Sequence, residues 1–130
     1  TDFEHRSYGE ELALCQRYCY VFKAKEGETN EAHIGTGNAY SASAHNITIH
    51  FPVEMRYQPT LVALPSSGNV LQAYVGASGQ YAIATSIVDA NDFSGTAMRM
   101  YVTGFTGLTV GSAAWVHTVP NASLTFNAEL

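Results

Sequence analysis

The chain has 130 residues, of which only 13% are charged, and a formal net charge of −5. That length suits one hydrophobic core and is too short for two. The scattered basic residues exclude duplex nucleic acid as a partner, and no apolar run approaches the ~20 residues that a bilayer span requires. So little charge fits a β-rich body with part of its surface covered by a partner chain, because interface centres are poor in charged residues.

Thr1–Arg6 is charged and aperiodic, with Phe3 as its one apolar anchor, and reads as a lead-in from a preceding domain or stalk. Starting at Thr1 without a leader, the chain is expected to be a piece of something longer. Ser7 followed by Glu10 forms a capping-box pattern that predicts a short helix, with Glu10 and Glu11 in the first turn where the helix dipole favours negative charge. Tyr8, Leu12 and Cys15 recur at near-helical spacing and predict one apolar face. From Arg17 the period changes to two, and Arg17–Lys23 reads as a strand. Cys15 and Cys19 lie too close in sequence for an unstrained disulfide; both are expected to be reduced, with one or both in the core.

Ala24–Asn38 is polar and reads as the longest loop, with room for one short element, since long structureless loops are unusual inside compact domains. Ile47, Ile49 and Phe51 then alternate with polar residues up to Pro52. Pro52–Pro59 reads as a crossing segment. Leu61–Leu64 is a short strand stopped by the turn residues Pro65-Ser66-Ser67-Gly68-Asn69. Val70–Val75 and Gln80–Val88 follow, the latter with Tyr81, Ile83, Thr85 and Ile87 on one face. Asp89-Ala90-Asn91-Asp92 begins a polar turn. In Thr96–Thr103, Met98, Met100 and Val102 alternate against Arg99, Tyr101 and Thr103, and Ala114–Val119 and Ser123–Asn127 supply the last two strands. About eight short strands at this spacing predict an all-β, antiparallel β-sandwich spanning 1–130, jelly-roll-like, behind one N-terminal helix.

Catalytic patterns are weak. Asp89–Asp92 suggests a calcium loop, but the EF-hand pattern places Gly and Glu where this chain has Ser94 and Met100. No nucleophile elbow occurs, and no carboxylate pair stands out for glycoside hydrolysis. His5, His33, His45, His50 and His117 show no metal-binding spacing and read as solvated or satisfied in the core, although a histidine near a threefold axis would be tripled by symmetry. No cofactor and no metal is expected. Binding fits the composition better: eight Tyr, six Phe and one Trp with little charge suit sugar recognition, in which aromatic faces lie under C–H patches beside a few rigid polar groups. The candidate ligand-binding residues are Arg99, Tyr101, Trp115 and His117 on strands, with Asn91 and Asp92 on a loop.

The segment Phe3-Glu4-His5-Arg6-Ser7-Tyr8-Gly9-Glu10-Glu11-Leu12-Ala13-Leu14-Cys15-Gln16-Arg17-Tyr18 closely resembles a signature near the start of C-terminal domains in tail fibre and other virion structural proteins of tailed bacteriophages. Pro52-Val53-Glu54-Met55-Arg56-Tyr57-Gln58-Pro59 and Asn127-Ala128-Glu129-Leu130 resemble later landmarks of that family, in the same order. Cys19 departs from it, standing where an aromatic residue is more common. The resemblance implies a jelly-roll-like domain at the distal end of a trimeric fibre, in the virion, made in the host cytoplasm and used to attach to the host surface. Residues 1–16 would then join a preceding shaft to the sandwich at 17–130. The expected function is non-enzymatic binding of a cell-surface glycan or protein by a homotrimer, without membrane insertion. The alternatives are a virion assembly domain contacting another tail protein and a small glycan-modifying hydrolase.

Overall fold

A computed structural model of the chain describes residues 7–24, 30–75, 78–83 and 87–129, with the side chains of 78–83 and 87–91 excepted. The lead-in Thr1–Arg6 and the shared face expected for Tyr81, Ile83, Thr85 and Ile87 fall outside the described residues and side chains. Among the described residues, helix α1 runs over Tyr8–Gln16 and is followed by ten strands: β1 (Cys19–Lys23), β2 (His33–Ala39), β3 (Ala44–His50), β4 (Thr60–Leu64), β5 (Asn69–Val75), β6 (Ser78–Ile83), β7 (Ile87–Asn91), β8 (Ala97–Thr103), β9 (Ala113–Thr118) and β10 (Ser123–Asn127). The predicted strands other than Gln80–Val88 are present as β1, β3, β4, β5, β8, β9 and β10. The predicted loop Ala24–Asn38 holds β2, and the predicted strand Gln80–Val88 overlaps both β6 and β7.

The strands form two antiparallel sheets, a small one in the order β1-β10-β4 and a large one in the order β6-β5-β9-β2-β3-β8-β7. Period-two alternation explains the sandwich. In the small sheet Tyr20, Phe22, Leu61, Ala63, Leu124 and Phe126 turn to the core, and in the large sheet Ile47, Ile49, Met98, Met100, Val102, Ala114 and Val116 meet them. Four aromatic rings lock the two layers edge to face: Phe126 with Phe22 at 5.8 Å and with Phe51 at 5.3 Å, and Tyr20 with Phe22 at 4.9 Å and with Phe51 at 6.2 Å.

Helix α1 starts as its sequence dictates. The Ser7 hydroxyl accepts from the Glu10 amide at 3.3 Å, and the Glu10 carboxylate accepts from the Ser7 amide at 2.7 Å, so two orphan donors are satisfied. Its predicted apolar face, however, is not buried against any of the described residues. No residue of α1 is buried, Tyr8 is 83% exposed, and Leu12 and Leu14 are exposed beside it. Only two residues separate the end of the helix from β1, and Ala13 and Leu14 face Val53 across a shallow cleft. Cys15 and Cys19 are free thiols, and both are exposed, which corrects their expected place in the core.

The three stretches that carry the phage resemblance meet at one place. The Arg17 carbonyl accepts from the Arg56 amide at 2.9 Å, and the Tyr18 carbonyl accepts from the Ala128 amide at 2.7 Å. The Arg56 guanidinium lies over the rings of Tyr18 and Tyr57, 5.4 Å from each centroid, and donates to the Tyr18 hydroxyl at 3.2 Å.

His45, expected to be solvated or satisfied in the core, is neither. It is fully buried on β3 against the edge of Phe105, and neither ring nitrogen has a hydrogen-bond partner among the described residues. Burial holds its pKa below the ordinary 6.5, an effect that the neighbouring Asn46 backbone only partly offsets. The unfolded chain therefore takes up this proton more readily than the folded one. Stability is present above about pH 6.5 and is lost as pH falls, until the folded-state pKa is passed. Urea unfolding at stepped pH is expected to show His45→Leu losing less stability than the parent between about pH 6.5 and 5. Parallel curves for the two proteins would refute this.

Candidate functional site

The outer face of the large sheet carries the side chains that the core excludes. Because Leu71, Ala73, Ala114, Val116, Met98 and Met100 point inward, Tyr74, Trp115, His117, Arg99 and Tyr101 must point outward. Two clusters form there.

The first lies where β5, β9 and the start of β2 run side by side. Tyr74 is the register partner of Trp115, and His33 is the partner of His117. The Tyr74 and His117 rings stack at 5.1 Å with 9° between their planes, while Tyr74 and Trp115 meet edge to face at 6.3 Å. Glu31 is clamped beside them: Thr118 donates its amide to the Ala32 carbonyl at 2.9 Å, and Ala32 returns its own amide to the Thr118 hydroxyl at 2.9 Å. This places Glu31 Oε2 3.2 Å from His117 Nδ1. His117 Nδ1 also lies 3.3 Å from the Thr118 carbonyl. Both neighbours are acceptors, so Nδ1 carries the proton and, in the neutral imidazole, Nε2 is left as an acceptor. Glu31, His33, Tyr74, Trp115 and His117 line a cleft of about 340 Å³, at the low end of the range for small-ligand sites.

The second cluster lies three strands away on β8. Arg99 Nε donates to Asp92 Oδ2 at 2.7 Å, and its NH1 donates to Asn46 Oδ1 at 3.3 Å. Tyr101 meets the edge of Tyr40 at 5.9 Å. Asp92 follows β7 with a φ of 52°, a conformation that Asp tolerates better than most residues. Its side chain is 70% exposed, so the ion pair positions the guanidinium and adds at most about 1 kcal/mol of stability. Asn91 is the register partner of Arg99, and its side chain is outside the described set. Asp89–Asn91 belong to β7 and do not form the predicted turn, which starts at Asp92.

Of the six predicted residues, Arg99, Tyr101, Trp115 and His117 share one sheet face but divide between two clusters, with Asp92 joining the second through Arg99. Trp115 and His117 sit together with Tyr74, Glu31 and His33, which sequence reasoning did not single out. Tyr74 was within reach, since it alternates with Gln72 against Leu71 and Ala73. Glu31 and His33 were hidden by the reading of their segment as loop. Among the described residues no group of three or more His, Cys, Asp or Glu could hold a metal ion, and no helix is long and apolar enough to cross a membrane. Comparison of the chain with protein-family models, with curated proteins and with solved structures finds no match to any of them.

Proposed function

We propose that this chain is the host-attachment head of a phage tail fibre or related tail protein, a non-enzymatic, jelly-roll-like homotrimer residing in the virion. The observation that carries the reading is the outer face of the large sheet, where the Trp115 indole and the Arg99 guanidinium are open to solvent beside the more enclosed His117 imidazole. Trp115 alone is 59% exposed, and a bare indole on a rigid strand is a favoured anchor for a sugar or protein surface. The uncovered helix α1 fits a joint to a preceding shaft, where Tyr8 and Leu12, one turn apart on the same side of the helix, would pack against copies of themselves.

A labelled preparation added to a panel of whole Gram-negative and Gram-positive cells is expected to bind a subset of them saturably, and light scattering is expected to give three copies per particle. Trp115→Ala should lower cell binding at least about tenfold, the scale of an aromatic hot spot. Monomers that bind no cell would sink the reading. A second reading, an assembly domain contacting another tail protein, draws on the small sheet. Its outer face leaves Val21 exposed on β1 and Val62 and Leu64 exposed on β4, the two strands that flank β10.

A further inference from the structure

We infer that the cleft between Tyr74, Trp115, His117, Glu31 and His33 binds one neutral pyranose ring, with the sugar's C–H face on Trp115 and its hydroxyls on Glu31 and His117. The inference rests on the attachment reading for its biological setting but on the cleft alone for its chemistry. A pyranose offers a flat patch of C–H bonds on one face and a rim of hydroxyls that both donate and accept. The cleft is complementary to this. Trp115 supplies a largely exposed ring, and Tyr74 meets it edge to face while its own ring packs on His117.

The acceptors are fixed before any ligand arrives. Glu31 Oε2 is engaged by His117 Nδ1, which leaves Oε1 with acceptor capacity for a hydroxyl, and the tautomer set by Glu31 and the Thr118 carbonyl makes Nε2 a second acceptor. Both side chains are mostly buried, 27% and 14% exposed, so little side-chain freedom is left to lose on binding. The volume of about 340 Å³ suits a single ring and its substituents.

Charge narrows the class. None of the five lining residues carries a permanent positive charge, Glu31 is an acid, and the chain has a net charge of −5. A uronic or sialic acid would set its carboxylate against that of Glu31. A quaternary ammonium ion could use Trp115, but it would leave the His117 Nε2 acceptor without a donor.

The chain has one tryptophan, so indole fluorescence reports on this cleft alone. Methyl glucoside, methyl galactoside, methyl mannoside, N-acetylglucosamine and N-acetylgalactosamine are titrated against the full chain, with glucuronate, N-acetylneuraminate and tetramethylammonium as contrasts. At least one neutral sugar is expected to give a saturable change in the millimolar range, weakened about tenfold or more in Glu31→Gln. The inference is overturned if no neutral sugar gives a saturable response, if an acidic sugar or tetramethylammonium responds more strongly, or if Glu31→Gln binds unchanged. Cell adsorption of the parent and of Trp115→Ala is measured alongside. Adsorption that survives Trp115→Ala without any sugar response overturns the cleft and leaves attachment standing. Sugar binding without adsorption to any cell supports the cleft and removes attachment.

Discussion

Replacing Phe126 with alanine is expected to lower the free energy of unfolding by about 3–5 kcal/mol, a large part of what a domain of this size has. Phe126 is fully buried on the middle strand of the small sheet, and its ring meets both Phe22 from its own sheet and Phe51 from the end of β3. Its removal empties the place where the two layers are joined. The small sheet has only three strands, so few other contacts can close the gap. Urea denaturation followed by far-ultraviolet circular dichroism measures the loss. A change below about 1 kcal/mol would mean that the layers are held elsewhere and that the aromatic cluster is peripheral.

Gly37→Ala is expected to cost about 3 kcal/mol, at the upper end of the range for overpacking, although alanine is among the smallest of substitutions. A Cβ at position 37 would collide with the backbone carbonyl of Asn46, and one at Gly35 would lie 2.6 Å from the Thr48 carbonyl. Backbone cannot swing away as a side chain can, so β2 and β3 would have to separate. Gly68→Ala provides the contrast. Gly68 has a φ of 83° with nothing within 4 Å of its Cβ position, and its substitution should cost only the ~1 kcal/mol of a left-handed backbone. Equal losses at the two positions would show that close packing of β2 on β3 is not what requires the glycine. Separating β2 from β3 would also disturb His33 and the clamp on Glu31, so Gly37→Ala should weaken ligand binding in whatever fraction still folds.

The same glycines explain what the sequence conceals. Residues 33–38 read as loop because the segment is polar and Gly35 and Gly37 are poor strand formers, whereas here their missing side chains are what allow β2 to lie tightly against β3. Where alternation is unbroken, as in Met98-Arg99-Met100-Tyr101-Val102, the inward and outward sides are legible directly. Arg99 and Tyr101 read outward this way, whereas Trp115 and His117, on the same side of their strand as Val119, read as buried or exposed with equal ease. The helix misled for the opposite reason: Tyr8, Leu12 and Cys15 have helical spacing, but a periodic stripe says only that a face is apolar, not that this chain contains the surface to cover it. Glu31 becomes part of a site only through the exchange of hydrogen bonds between Ala32 and Thr118, residues 86 apart in the chain. No local pattern records a pairing at that distance.

The antiparallel ladder between β1 and β10 sets Cys19 opposite Asn127, so the polypeptide leaves the sandwich close to where it enters. The start of β1 and the end of β10 therefore lie side by side, with one short gap between them. The chain thus enters β1 and leaves β10 at the same pole of the sandwich. A circular permutant that bridges this gap and opens at the exposed turn around Gly68 would keep every ladder of both sheets while moving the point of suspension to another side of the molecule.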